Sequence, residues 1–135
     1  MRNMPKKADF IIIDDCELDC FIAEKLVKHA GVSKNVKKFI QATEALDYIK
    51  SNSNAPGVTV VLLDILMPVM SGVEFMEEFE KLPRAVKDKY CVMAFTSSMN
   101  KRDMIRMQGF KDLKHIFDKP VSEQALLPII SECLS

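Results

Sequence analysis

Residues 58–63 have the sequence VTVVLL and lead directly into Asp64. The run is continuous, apolar and rich in β-branched residues, which is typical of a strand buried on both faces of a parallel sheet. An acidic residue directly after such a strand would lie at the carboxyl edge of the sheet, where α/β folds bind their ligands. This segment therefore predicts both a central strand and a candidate functional position.

Short apolar runs and amphipathic segments alternate along the rest of the chain. The other runs, which predict strands, span residues 10–13, 36–40, 90–95 and 115–118. Apolar residues at helical spacing follow the strands, and after the first strand these are Leu18, Phe21, Ile22 and Leu26. Five strands that alternate with five helices predict a three-layer α/β fold with a parallel sheet.

Five residues mark predicted helix boundaries: Gly31, Thr43, Ser71, Asn100 and Ser122. The first would stop a helix and the other four would open one. Ser71 is followed three residues later by Glu74, the pattern of a capping box. Pro128 falls inside the last predicted helix, where it removes a backbone donor and crowds the carbonyl of Gln124. We expect a kink there, or a helix that begins near Pro128.

The composition is that of an ordinary globular protein. The 135 residues include 19 Lys and Arg against 19 Asp and Glu, so the formal net charge is zero; nucleic-acid-binding domains usually carry a basic excess. No apolar run approaches the roughly 18 residues of a membrane span, and the basic segment 1–7 is not typical of a signal peptide. We expect one cytoplasmic domain over residues 1–135, with its core at about 8–134.

The four cysteines do not predict a metal site. Cys16, Cys20, Cys91 and Cys133 contain no C-x-x-C pair, and only two histidines are available to join them. Zinc sites need tighter clusters of ligands. We interpret all four as reduced thiols in the core or on the surface.

Polar side chains follow four of the predicted strands at their carboxyl ends: Asp14, Asp15, Asp64, Thr96 and Lys119. Taken singly, Asp14 and Asp15 would suit a helix N-terminus and Lys119 would suit the surface. The fold, however, would bring all five to one edge of the sheet, although they are spread over more than 100 residues. This coincidence favours a functional site over five separate structural roles.

The same side chains suit phosphoryl chemistry. Neighbouring carboxylates repel one another unless a cation compensates them, and Mg²⁺ prefers oxygen ligands of this kind. Lys119 would supply a point charge and Thr96 a hydroxyl donor to a phosphoryl group. Asp64, between the metal and Lys119, would then be a nucleophile, because carboxylates can form aspartyl-phosphates.

The chain resembles the receiver domains of bacterial two-component response regulators over nearly its whole length. Four motifs in order carry the resemblance: IIIDD at 11–15, LLDILMP at 62–68 with Gly72 after it, FTSS at 95–98 and DKP at 118–120. The resemblance implies a doubly wound, flavodoxin-like (βα)5 fold with strand order 2-1-3-4-5. It also implies that Asp64 takes a phosphoryl group from a phosphohistidine on a sensor histidine kinase or a histidine phosphotransfer protein.

The resemblance further assigns roles around Asp64. Mg²⁺ would be held directly by Asp15, Asp64 and the backbone carbonyl of Leu66, and mainly through water by Asp14. Thr96 would hydrogen-bond the phosphoryl oxygen and Lys119 would pair with it. The Lys119–Pro120 peptide would be cis. Pro68 and Gly72 would shape the loop after Asp64, with Gly72 tolerating unusual dihedral angles.

Phosphorylation in such a domain acts as a switch rather than as enzymatic turnover. The added charge would draw Thr96 inward and bias the face of the fourth helix, fifth strand and fifth helix. One position departs from the family pattern: Ile116 stands where Tyr or Phe is common, and Phe117 should point to the opposite face. The resemblance implies that Leu66 and Ser98 occupy positions that tune the phosphoryl lifetime in the family. Because the apolar Leu66 offers no hydrogen bond to an attacking water, we expect slow self-dephosphorylation.

The predicted last helix ends close to Ser135, which leaves no room for a DNA-binding output domain, so a protein partner is the expected target. Met99, Met104 and Met107 could form its contact surface or be ordinary packing residues. Three alternatives stay open. An adaptor that is never phosphorylated draws support only from Ile116. A dehalogenase-type phosphatase would require an Asp two residues after Asp64, where this chain has Leu66. A flavin-binding protein would require a phosphate-binding loop where this chain has Asp14 and Asp15.

Overall fold

A computed structural model describes residues 7–52, 57–96 and 101–134, without the side chain of residue 101. The strands are β1 Ala8–Ile13, β2 Ser33–Phe39, β3 Thr59–Asp64, β4 Tyr90–Thr96 and β5 Leu113–Asp118. The helices are α1 Glu17–His29, α2 Ala42–Ser51, α3 Gly72–Glu80, α4 Arg84–Lys87, α5 Lys101–Gln108 and α6 Glu123–Leu134. The strands form one parallel sheet in the order β2-β1-β3-β4-β5, as the resemblance implies.

Two apolar layers pack on the two faces of the sheet, because side chains alternate along each strand. One face, with Ile13, Leu63 and Ala94, packs against α2, α3 and α5. The other face, with Ile12 and Leu62, packs against α1 and α6. The three-layer architecture predicted from the sequence is therefore confirmed.

The outer strands differ from the central ones in exposure. β3 is buried over almost its whole length, whereas β2, with the sequence SKNVKKF, is exposed or half-buried throughout. The exposed side chains of β2 include Lys34, Lys37 and Lys38. β5 forms the opposite edge, and only Phe117 is fully buried there.

The helix boundaries follow the predicted capping residues in part. Ser71 and Glu74 form the predicted capping box at the start of α3, and the Ser122 hydroxyl accepts from the backbone N–H of Ala125 at 3.1 Å. Thr43 is not the N-cap of α2. The helix begins at Ala42, one residue before Thr43, and its N-cap is the extended residue Gln41. The predicted cap at Asn100 lies outside the described residues.

Two features of the helices, an additional short helix and the position of Pro128, differ from expectation. The one-turn helix α4 was not predicted; its Arg84 pairs with Asp112, at 2.6 Å between Nη1 and Oδ1. Pro128 lies inside a continuous α6, so of the two alternatives expected there, a helix start near Pro128 is wrong and a kink stays a prediction. Leu126 and Ile130, on either side of Pro128, are buried against the sheet, and this packing holds the helix together across the missing backbone donor.

The cysteine interpretation is wrong for one pair. Cys91, near the start of β4, and Cys133, near the end of α6, are joined by a disulfide across 42 positions of sequence. Their Cα atoms are 6.1 Å apart, within the range that a disulfide can span. Both residues pack on the α1/α6 face, because α6 returns to the end of the sheet at which β4 begins. Cys16 and Cys20 are free thiols, as expected.

In the part of the chain that the structure describes, none of the helices combines the length and the apolar character that crossing a membrane requires.

Candidate functional site

The carboxyl ends of the three central strands bring the predicted site residues together. Asp14 follows β1, and its backbone N–H donates to the carbonyl of Phe39 on β2 at 3.0 Å. Asp64 ends β3 and Thr96 ends β4. The backbone N–H of Lys119 donates to the Thr96 carbonyl at 2.8 Å, which ties the segment after β5 to the end of β4. The sheet register thus determines which backbones meet at this edge.

Three of these residues form an acidic cluster. Carboxylate oxygens of Asp14, Asp15 and Asp64 all lie within 4.8 Å of one another. Asp14 and Asp64 are buried, whereas Asp15 is exposed. The backbone N–H of Cys16 donates to Asp14 Oδ1 at 3.0 Å and orients that carboxylate. An open cluster of hard oxygen donors fits a hydrated Mg²⁺ ion, which retains several of its waters.

Lys119 is the cation of the site. Its Nζ lies 2.7 Å from Asp14 Oδ2, 2.8 Å from Asp19 Oδ2 and 3.5 Å from Asp64 Oδ1. Burial favours a lower pKa of Lys119, but the hydrogen bonds to Asp14 and Asp19 and the charge of Asp64 outweigh it and raise the pKa. Lys119 therefore remains charged at neutral pH and partly compensates the surrounding carboxylates.

Asp19 is a site residue that the sequence analysis missed. It lies in the first turn of α1, four residues after Asp15, and its side chain is 37% exposed. The helix begins at Glu17 with Cys16 as its N-cap, so Asp15 lies outside it and no helical spacing relates the two acids. The contact of Asp19 with Lys119 depends on how α1 packs against the sheet, and no periodic pattern in the sequence indicated it.

Asp64 is perturbed by its surroundings. Burial, followed by the charge of Asp14, raises its pKa to about 6, and the nearby Lys119 limits the increase. A bound cation at the acidic cluster would favour the ionised form of Asp64. The site is thus arranged to stabilise added positive charge.

The loop after Asp64 is constrained at two positions. Gly72 does not use its tolerance for unusual dihedral angles, because its φ is not positive; the residue of this loop with positive φ is Val69, at 68°. Gly72 is needed for close approach instead, because a Cβ there would lie 2.7 Å from Ile65 Cα and 2.8 Å from the Asp64 carbonyl oxygen. Its N–H donates to the Ile65 carbonyl at 2.8 Å and closes the loop.

A cleft of about 370 Å³ opens beside the site, between α1 and the segment after β5. Its lining includes Asp14, Asp19, Ile22, Leu26, Lys119 and Pro120. The Lys119–Pro120 peptide is cis, as expected.

Comparison with known proteins identifies the family. The sequence model of the response regulator receiver domain matches residues 10–131. The chain belongs to this family. A crystal structure of a response regulator receiver protein from Dyadobacter fermentans is similar, with a TM-score of 0.84 and 29% identity over 93% of this chain and 97% of that one.

Two curated proteins are also similar to this receiver domain. The sensor histidine kinase CheAY of Helicobacter pylori is 28% identical over 98% of the chain. Stress response regulator protein 1 of Scheffersomyces stipitis is 26% identical over 87% of it. The aligned region spans only 16% and 38% of these two proteins, respectively.

The structure describes three of the residues that the expected switch involves: Thr96, Ile116 and Phe117. Thr96 is buried and pairs in register with Asp118, while Ile116 pairs with Ala94. Ile116 and Phe117 lie on opposite faces, as predicted, and Phe117 stacks on Phe95 with ring centroids 5.4 Å apart. The aromatic side chain of Phe117 is therefore packed in the core on the α1/α6 face.

The remaining predicted residues have mixed outcomes, and some of them lie outside the described residues. Ser97, Ser98 and Met99 fall outside the described residues. Met107 is fully buried in the core, so a role in a partner surface is wrong for that residue, whereas Met104 is half-buried. Leu66 is 42% exposed, two residues after Asp64, and its carbonyl as a metal ligand stays a prediction.

Proposed function

We propose that this receiver domain is a phosphorylation switch in which Asp64 accepts a phosphoryl group from a phosphohistidine, in the presence of Mg²⁺. The observation that carries the proposal is the position of Asp64 between two further carboxylates and Lys119. The family match over residues 10–131 supports treating the chain as one such domain. It would act as a switch that catalyses its own modification, not as a turnover enzyme.

We propose the following role for each residue, which the family membership and the proximity of Asp14, Asp15, Asp64 and Lys119 support. An oxygen of Asp64 would attack phosphorus and form the new P–O bond, while the P–N bond breaks and its electron pair leaves with the histidine. Mg²⁺ would be held directly by Asp15, Asp64 and the Leu66 carbonyl, and mainly through water by Asp14. It would neutralise phosphoryl charge. Lys119 would turn its ammonium toward the phosphoryl oxygens, and the Thr96 hydroxyl would donate to one of them.

The partners we propose are a sensor histidine kinase or histidine phosphotransfer protein as phosphodonor and a protein as target. The similarity to a region of sensor histidine kinase CheAY supports a two-component context. Exposed apolar side chains on α1, beside the site, could contact the donor: Leu18, Phe21 and Ile22. Donor kinases use ATP, so we place the switch in the cytoplasm. The α5–β5–α6 face would transmit the added charge.

Incubation with Mg²⁺ and a small acyl phosphate, followed by intact-mass measurement, tests the proposal. We expect a single phosphoryl adduct that requires Mg²⁺ and is absent from Asp64→Ala. Asp47→Ala, at an exposed position on α2, is the matched control and should still be modified. A folded wild-type protein that takes up no phosphoryl group would favour an unphosphorylated adaptor, with Ile116 as the residue to explain.

A further inference from the structure

The ammonium of Lys119 is shared among more acidic partners than the proposed chemistry uses. A lysine has three N–H donors. In this site two hydrogen bonds go to Asp14 and Asp19, at 2.7 and 2.8 Å. Asp64 Oδ1 is 3.5 Å away, beyond good hydrogen-bond length. Lys119 is thus held closer to Asp19 than to the residue it would serve.

Asp19 is distinct from the metal-binding cluster. That cluster consists of Asp14, Asp15 and Asp64 among the described residues. Asp19 instead projects from the first turn of α1, where the helix dipole favours a negative side chain. The helix therefore supports a carboxylate that forms an ion pair with Lys119.

We propose that Asp19 is a positioning residue that competes with the phosphoryl group for Lys119 and so weakens phosphoryl binding at Asp64. This inference rests on the proposed phosphorylation of Asp64. A phosphoryl group on Asp64 would have to draw the Lys119 ammonium away from its position 2.8 Å from Asp19 Oδ2 and 3.5 Å from Asp64 Oδ1, which would weaken the charge-assisted hydrogen bond to Asp19. An interaction that is stronger before the reaction than after it opposes the reaction.

Charge acts in the same direction as this competition. The Asp19 carboxylate and a phosphoryl group would both be anions on one ammonium, and like charges at short range disfavour each other. Removing the charge of Asp19 while keeping its shape should therefore increase the affinity of the site for a phosphoryl-like anion.

Beryllofluoride in the presence of Mg²⁺ provides a probe that mimics a phosphoryl group on a carboxylate. We expect Asp19→Asn to bind it about tenfold more tightly than wild type, which corresponds to about 1.4 kcal/mol. Asp19→Glu restores a carboxylate and should return to within about twofold of wild type. Glu17→Gln removes another first-turn acid of α1 and should also remain within about twofold.

The direction of the change separates competition from structural damage. Misfolding or loosening of α1 would weaken binding, so only competition predicts a gain; thermal midpoints report on folding. Unchanged or weaker binding by Asp19→Asn, with wild type binding normally, would overturn the role of Asp19 and leave the proposed function intact. Wild-type protein that binds no beryllofluoride and accepts no phosphoryl group would instead overturn the proposed function.

Discussion

At the scale of single residues, Asp64 carries an ionisation cost in the folded protein. Its pKa is raised to about 6 by burial and by the charge of Asp14. Because the folded state holds the proton more tightly than the unfolded chain, protonation of Asp64 favours folding. That contribution is fully present below about pH 4 and is lost as the pH rises through about 6.

Replacing Asp64 should therefore stabilise the metal-free protein. Each pKa unit corresponds to about 1.4 kcal/mol, so we expect Asp64→Asn to raise the free energy of unfolding by about 2–3 kcal/mol at pH 7–8. The gain should shrink through pH 6 and vanish near pH 4. Urea unfolding with a chelator present measures it, with Asp47→Asn as control for loss of an exposed acid. A gain that is equal at pH 4 and pH 8 would refute this account.

Gly72 is required for space rather than for backbone conformation. In Gly72→Ala the new Cβ would overlap backbone atoms of Asp64 and Ile65, which cannot move like a flexible side chain. We expect a loss of about 1–3 kcal/mol of stability, typical of overpacking, together with slower phosphorylation, because the Asp64 backbone must shift.

Gly109→Ala is the matched control for Gly72→Ala. A Cβ at Gly109 would come no closer than 3.4 Å to other atoms, so its cost should stay below about 1 kcal/mol. Chemical denaturation of both variants checks the difference. Equal stability of the two would show that the loop after Asp64 relaxes without cost.

At the scale of elements, the start of α3 depends on its capping box. The Ser71 hydroxyl accepts from the Glu74 N–H at 3.2 Å, and Glu74 Oε1 accepts from the Ser71 N–H at 3.0 Å. We expect Ser71→Ala to cost about 1 kcal/mol, measured by thermal unfolding. Ser51→Ala, at the end of α2, should change stability by less than about 0.5 kcal/mol. Similar losses in both variants would argue against the cap.

The elements also show what a sequence pattern can predict. The long apolar run of β3 and the motif of Ser71 and Glu74 each determine their element locally, and both predictions are confirmed. The helix α4 has four residues, too few to show a helical period. The start of α2 depends on the path of the chain after β2, which no single capping residue specifies.

At the scale of the whole molecule, topology supplied most of the site. Strand ends in a parallel sheet must meet at one edge, so the proximity of Asp14, Asp15 and Asp64 followed from strand order. Asp19 and the Cys91–Cys133 pair did not follow, because both contacts depend on how a helix is rotated and packed on the sheet. Such packing is a tertiary property that periodicity leaves undetermined.

Metal binding should stabilise the whole fold, because the acidic cluster joins the ends of β1 and β3. A ligand that binds only the folded state stabilises it by about 2.7 kcal/mol at 100 times its dissociation constant. We expect Mg²⁺ to raise the thermal midpoint reversibly and a chelator to lower it again. In Asp15→Asn the same Mg²⁺ concentration should have a smaller effect. A midpoint independent of Mg²⁺ would count against the site.

The lysines of β2 have a consequence for solubility. A parallel sheet leaves unpaired backbone groups along its outer strands, and such edges can template association with another copy. This chain has a formal net charge of zero and a calculated isoelectric point of 6.7, so overall repulsion between molecules is weak near neutral pH. Lys38 is paired with Glu24 at 2.8 Å between Nζ and Oε1, but Lys34 and Lys37 place local positive charge on this outer strand and oppose strand-to-strand aggregation there.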